Sequence, residues 1–288
     1  MPSAALLPAN ALAGLQIGIS VSDSADLARL GLLETHFRLA VGEIARCVLV
    51  SGGHLAYGGH LRPDGYTTFL IQELHRFSRR DRPLHLYLPW SEHRAMTLSA
   101  IAEKRGALGL FGEMRFLGPK GEVVDPAANR NETPAPVTDE REREKSLTAL
   151  RGYMARQTHG RIVIGGKRSG FLGHMPGVIE EALMAIDHGQ PLYLAGGFGG
   201  VTADIIRALG VDDMAWLPEP DDAAPRDPRL VAGLERLVER AGETERKSLQ
   251  NGLDESENRR LAASHRPSEI AALLSLGLGR RSRGGGKV

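Results

Sequence analysis

Short aliphatic runs alternate along the chain with longer stretches whose apolar residues recur at helical spacing. The runs are Gln16 to Val21, Cys47 to Ser51, Pro83 to Leu88, Arg161 to Ile164 and Pro191 to Ala195. The helical stretches are Ala25 to Leu39, Thr67 to Phe77, Val178 to Ile186, Thr202 to Leu209 and Arg229 to Ala241, the last with Leu230, Leu234 and Leu237 on one face. Runs that are apolar on both faces are strands covered on both sides, and strands alternating with helices build βαβ units. The pattern predicts an α/β fold: a Rossmann-like parallel sheet with helices on both faces, plus a C-terminal helical extension.

Polar stretches divide the chain. From Gly118 to Lys145 four prolines lead into the charged run Asp139 to Lys145, which predicts a solvated loop entering a surface helix that continues to about Gln157. Ala223 to Pro228 is a second breaker-rich stretch, and Ser268 to Leu276 has the spacing of a short helix. The expected organisation is a flexible segment over 1–14, a ligand-binding domain over 15–217, a helical extension over 218–278 and a disordered basic tail over 279–288.

Glycine changes the picture, because its 35 residues gather in three clusters, each read as following a strand. They begin at Gly52-Gly53, at Gly165-Gly166 and at Gly196-Gly197. A parallel sheet binds ligands beyond the carboxyl ends of its strands, which is where these clusters are expected. The second cluster runs from Gly165 through Lys167, Arg168, Gly170 and Gly173 to Pro176-Gly177 and the start of a helix. Backbone amides in such a loop, the positive end of the helix and the cations Lys167 and Arg168 together suit a phosphate. The spacing is neither that of a Walker loop nor the Gly-x-Gly-x-x-Gly of a dehydrogenase. Glu180 and Glu181 follow in the first helical turn. They either compensate the helix dipole or put one carboxylate, Glu180 before Glu181, beside a ribose.

The first cluster continues through His60, Arg62 and Asp64 to Thr67, where Arg62 can reach a phosphate and Tyr66 a base, although Pro-Asp-Gly is also simply a tight turn. The third offers the donors around Gly197 and Phe198, with Thr202 or Asp204 near a ribose; close strand–helix packing explains the same glycines equally well. Ser22 and Asp23 cap the helix after the first strand or touch ligand. His54 and His60 lack partners at metal-ligand spacing, so no metal is expected.

Charge and cysteine add bounds. Lys plus Arg total 36 against 35 Asp plus Glu, which leaves no net field to draw the chain to nucleic acid or a membrane surface. Cys47 is the only cysteine and reads as a buried structural thiol, consistent with a reducing compartment. The first fifteen residues lack a basic leader, and no stretch is long enough to span a bilayer, so the expected location is the cytoplasm.

On these residues the chain resembles the SLOG superfamily, the Rossmann-like group that includes the LOG phosphoribohydrolases, DprA-type proteins and nucleotide-sensing domains of defence proteins and TRPM channels. Gly165-Gly166 with Gly170-Phe-Leu-Gly173 look like the LOG loop Gly-Gly-Gly-x-x-Gly-Leu-Met-Gly. Pro176-Gly177 with Glu180-Glu181 look like a shortened Pro-Gly-Gly-x-Gly-Thr-x-Glu-Glu, fused directly to it. Tyr57 to Thr67 is more similar to the sensor-type prokaryotic branches. The resemblance implies phosphate contacts at Gly166, Arg168, Gly170 and Gly173, a catalytic role for Glu180 and Arg168 if the chain is an enzyme, and self-association. No cofactor is expected. Three readings follow: a sensor-type module for an ADP-ribose-like or nucleoside phosphate ligand, a nucleoside 5′-monophosphate N-glycosidase, and a partner-binding protein on an inactive fold.

Overall fold

A computed structural model of the chain describes residues 7–61, 65–76, 81–128, 130–217, 226–243 and 249–283. In chain order the elements are β1 (Gln16–Ser22), α1 (Glu34–Val50), β2 (His54–Gly58), α2 (Tyr66–Leu74), β3 (Leu84–Leu88), α3 (Trp90–His93), α4 (Leu98–Leu108), β4 (Gly112–Leu117) and β5 (Val123–Val124). They continue as α5 (Glu140–Gln157), β6 (Gly160–Gly165), α6 (Gly177–Asp187), β7 (Leu192–Ala195), α7 (Gly200–Ala208), α8 (Pro228–Glu243), α9 (Glu255–Ala263) and α10 (Pro267–Arg283). The strands form one sheet in the order β5-β4-β3-β2-β1-β6-β7, parallel except for β5. This is the expected α/β architecture.

Alternation sets the two layers. Ile17, Ile19 and Val21 of β1 pack with α1 and α10 on one side, while Gly18 and Ser20 between them face the layer of α5 and α6. Phe37, Val41, Ile44 and Val48 present one buried stripe of α1 to that first core. On the other side Val163, Leu192 and Leu194 pack with α6, α7 and α8, and Ala56, Tyr87 and Leu117 with Leu150 and Met154 of α5. Asp139 caps α5 through the Glu142 amide at 3.1 Å, and Asp254 with Glu257 forms a capping box on α9. The free edge of β7 is closed by the chain from Leu249 to Asn251, which accepts from the Leu192 amide and donates to its carbonyl, each at 2.9 Å.

Several expectations are corrected. Cys47 to Val50 is the last turn of α1 rather than a strand; a run of four apolar residues fits a helical turn as well as a strand, and here Cys47, Val48 and Leu49 are buried while Val50 is exposed. Gly52 and Gly53 therefore precede β2 at the amino end of the sheet, away from the carboxyl-end crevice, where Gly52 turns against the backbone of Ala9. Residues 25–31 form turns and the helix starts at Glu34, with Asp26 in those turns held by contacts to α7. Between Leu98 and Leu117, where the pattern predicted no element, a helix and a strand stand, and β5 lies within the stretch expected to be a solvated loop. α10 continues to Arg283, beyond the expected helix and into the expected tail; residues 284–288 lie outside the described residues.

Candidate functional site

β1 has parallel neighbours on both sides, β2 and β6, so the strand order departs from it in two directions. In such a sheet the crevice opens at that point, between the loops leaving the carboxyl ends of the two strands. Here those loops are 23–33 and 166–176. They are stitched together: the Gly166 amide donates to the Ser22 carbonyl at 3.0 Å, and the Lys167 amide to Ser22 Oγ at 3.3 Å. The start of α7 joins them, with Val201 donating to the Gly166 carbonyl at 3.0 Å and Thr202 Oγ1 to the Gly165 carbonyl at 2.7 Å. This approach requires glycine at 200, whose φ is +70° and whose added Cβ would lie 2.7 Å from the Gly166 oxygen.

Arg168 locks the junction. Its Nε and Nη2 donate to Asp204 at 2.7 and 3.0 Å, Nη1 to both oxygens of Asp26 at 2.8 and 2.7 Å, and Nη2 also to the Gly200 carbonyl at 3.0 Å. Asp26 in turn accepts from the Gly200 amide at 2.7 Å and so caps α7. Burial would raise the Asp26 carboxyl, but the Gly200 amide and Arg168 hold it below the usual carboxylate range. All five guanidinium N–H groups are thereby satisfied. The in-plane donors of Arg168, expected on a phosphate or in catalysis, are engaged within the chain as a clamp that shapes the loop.

What the clamp leaves open lies just beyond it. Among the described residues, none of the amides from Arg168 to Met175 donates an intramolecular hydrogen bond. This run ends at α6, whose N-cap is Pro176 with no side-chain cap. Unpaired amides leading into an uncapped helix N-terminus are the arrangement that binds anions. Gly170 stands in open space within the run, while Gly173 and Gly177 lie beside the guanidinium of Arg151, which an added Cβ on Gly177 would approach to 2.5 Å.

Arg151 comes from α5 and pairs with Glu180, whose other oxygen accepts from Thr148 Oγ1 at 2.6 Å. Glu181 turns to a different set, Ser20 Oγ and Arg161 Nη1, the latter at 3.0 Å, with Arg151 Nε 3.8 Å away. The two adjacent carboxylates thus share Arg151 but otherwise serve different partners, as their angular offset on a helix requires. Arg161 is buried against Gly18, with its Nε unpaired. Glu180 also borders a cavity of about 520 Å³ with Thr148, His174, Met175 and Arg236. At the mouth, Lys167 Nζ and Asp23 form an exposed pair at 2.9 Å, and the Tyr66 hydroxyl lies 3.1 Å from both Asp23 and Glu34. Burial and these two carboxylates push the Tyr66 phenol far above its ordinary value, so it stays a neutral donor.

The remaining expected residues separate from the crevice. Gly197 packs against the backbone of Ser264, and Phe198 is fully buried edge-on to Phe37 at 5.3 Å, so both occupy packing positions. Thr67 is buried and donates to the His60 carbonyl at 2.6 Å. Arg62 lies outside the described residues. Conversely, Arg151, Thr148, Asp26 and Arg161 were not read from the sequence. The buried spacing of Ser146, Leu150 and Met154 was a signal that α5 has an inward face, next to which Thr148 and Arg151 fall.

The SLOG cluster2 family model matches residues 11–261. The chain belongs to the SLOG cluster2 family. The SLOG cluster2 match begins ahead of β1 and ends within α9, so it takes in the open amide run, Arg151 and all of α8. Membership in SLOG points to a nucleotide-related function. No curated protein matches the chain in sequence. Among the described residues no helix is long and apolar enough to cross a membrane.

Proposed function

We propose that the chain binds a nucleotide-derived ligand, ADP-ribose-like or a nucleoside phosphate, in the crevice between β1 and β6 and acts as a sensor-type module. The observation that carries this is the run of unpaired amides from Arg168 to Met175 at the uncapped start of α6. Phosphate oxygens accept from the amides around Ser169, Gly170 and Gly173, and Lys167 adds charge by exchanging Asp23 for the anion. Arg168 contributes to phosphate binding indirectly, by holding the loop in its binding geometry. Glu181 stays with Ser20 and Arg161 as part of the floor. The proposal extends to a cytoplasmic protein that self-associates, which light scattering of the purified chain checks.

One observation favours a second reading, N-glycosidic hydrolysis of a nucleoside 5′-monophosphate. Glu180 is buried yet borders the 520 Å³ cavity next to the amide run, so an anomeric carbon placed there would meet a carboxylate that Arg151 and Thr148 hold in position. A melting-temperature screen of AMP, CMP, ADP-ribose, cyclic ADP-ribose, NAD and pyrophosphate, with chromatography of each mixture, tests both. A ligand at a hundred times its Kd stabilises by about 2.7 kcal/mol, a resolvable rise. Stabilisation without base release supports the sensor. Base release that disappears in Glu180→Gln while binding persists supports the hydrolase. Failure of every nucleotide and of pyrophosphate to raise the melting temperature rules out both.

A further inference from the structure

α8 carries two apolar stripes, and among the described residues one is buried and the other only partly covered. Leu230, Gly233 and Leu237 turn into the core beside α6. Val231, Leu234 and Val238, also at helical spacing, line a cleft of about 450 Å³ against Ala208 of α7, and Val231 is 40% exposed. That volume is in the range of small-molecule sites, roughly 300–1,000 Å³. One end of the cleft is Arg168, the residue at which the open amide run begins. α8 is docked on the same loop, with Arg229 Nη1 on the Gly173 carbonyl at 3.1 Å and its guanidinium 4.3 Å from the Phe171 ring centroid. The cleft therefore adjoins the anion site.

The polar residues that line the cleft are Arg168, Asp204, Arg226, Glu235 and Glu239, and those without a partner specify what fits. The in-plane donors of Arg168 are all used, so what it can present to an occupant is its flat face, on which an aromatic ring stacks. Glu235 and Glu239 also line the cleft, and neither has a hydrogen-bond or ion-pair partner among the described residues. Ionised carboxylates only accept, so the matching edge of an occupant must donate.

We propose that the cleft between α7 and α8 is the base subsite for a nucleotide whose phosphates lie on the 168–175 amides, and that it selects a base with an exocyclic amine. This rests on the anion site proposed above and adds the base to it. Calorimetry of the full chain with AMP, IMP and ribose 5-phosphate tests it. AMP should bind about tenfold or more tightly than IMP, which lacks the amine, and more tightly than ribose 5-phosphate. Leu234→Trp fills the cleft and should lower AMP affinity to that of ribose 5-phosphate, leaving ribose 5-phosphate binding unchanged. Val231→Glu, at an exposed helical position that does not threaten the fold, should do the same. AMP binding no better than IMP or ribose 5-phosphate, or AMP binding that neither variant alters, overturns the proposal while leaving the anion site standing. Absence of ribose 5-phosphate and pyrophosphate binding removes the anion site, and the base subsite with it.

Discussion

Arg168 shows how far a residue's environment can redirect its chemistry. In the sequence it is a cation in a glycine-rich loop, the usual place for a phosphate ligand; in the structure Asp26 and Asp204 claim it. Its side chain is 18% exposed and that of Asp26 only 1%, so removing the guanidinium strands a buried carboxylate. Breaking a buried pair from one side costs about 3 kcal/mol or more, mostly the penalty of the abandoned charge. Arg168→Ala should therefore lower the denaturant midpoint of the free protein, whereas a mere phosphate contact would leave it unchanged. An unaltered midpoint with lost binding would return Arg168 to the ligand. Glu180 and Glu181 teach the converse: their place on α6 was legible, but their partners come from α5, β1 and β6, which no local spacing reveals.

Among the elements, β6, the loop to Pro176 and α6 were the most legible, because strand, loop and helix are contiguous and each carries its own signal. α1 was the least. Its apolar end resembled a strand, and the turns before it are held by Asp26 rather than by local propensity. α10 was read too short. Its glycines and basic residues suggested a frayed tail, but Ile270, Leu273, Leu274 and Leu278 are buried along α1. Burying such side chains contributes roughly 1.5–3 kcal/mol each, so four together rival the whole stability of a domain, about 5–15 kcal/mol. A chain ended after Ala263 should lose its cooperative thermal transition and most of its soluble yield. A truncated chain that melts cooperatively near the full-length temperature would show α10 to be an accessory.

At the scale of the whole molecule, stability should respond to mild acid through buried histidines. His93 is 1% exposed, its Nε2 is 3.1 Å from the Leu117 carbonyl oxygen and its Nδ1 is buried without a partner. Burial, then Arg130 and Arg94, pushes its imidazole below the ordinary value, and burial does the same to His85 despite the pull of Glu113. A histidine whose folded pKa is depressed takes its proton more readily when unfolded, so stability falls as pH drops below the unfolded value of about 6.5. The denaturant midpoint should decline from pH 7.5 to 5.5, and His93→Asn should flatten that decline even if it lowers the midpoint throughout. An equal slope in both proteins would show that His93 is not the group responsible.

The chain's own pattern was enough for the fold class, most strands of the sheet and the loop that opens the crevice. Hydrophobic periodicity and glycine placement act between neighbours in sequence, and those features depend on little else. Which loops meet, which glycines are free and which charges are spent depended on the sheet order, since β1 lies between β2 and β6 only after the chain has crossed over. Gly170 is open and Gly197 is filled, Lys167 is exposed and Arg168 is saturated, although each pair looks alike along the chain. Contacts between residues distant in the chain, Gly197 with Ser264 and Arg168 with Asp26, separate them, and those contacts exist only in the folded molecule.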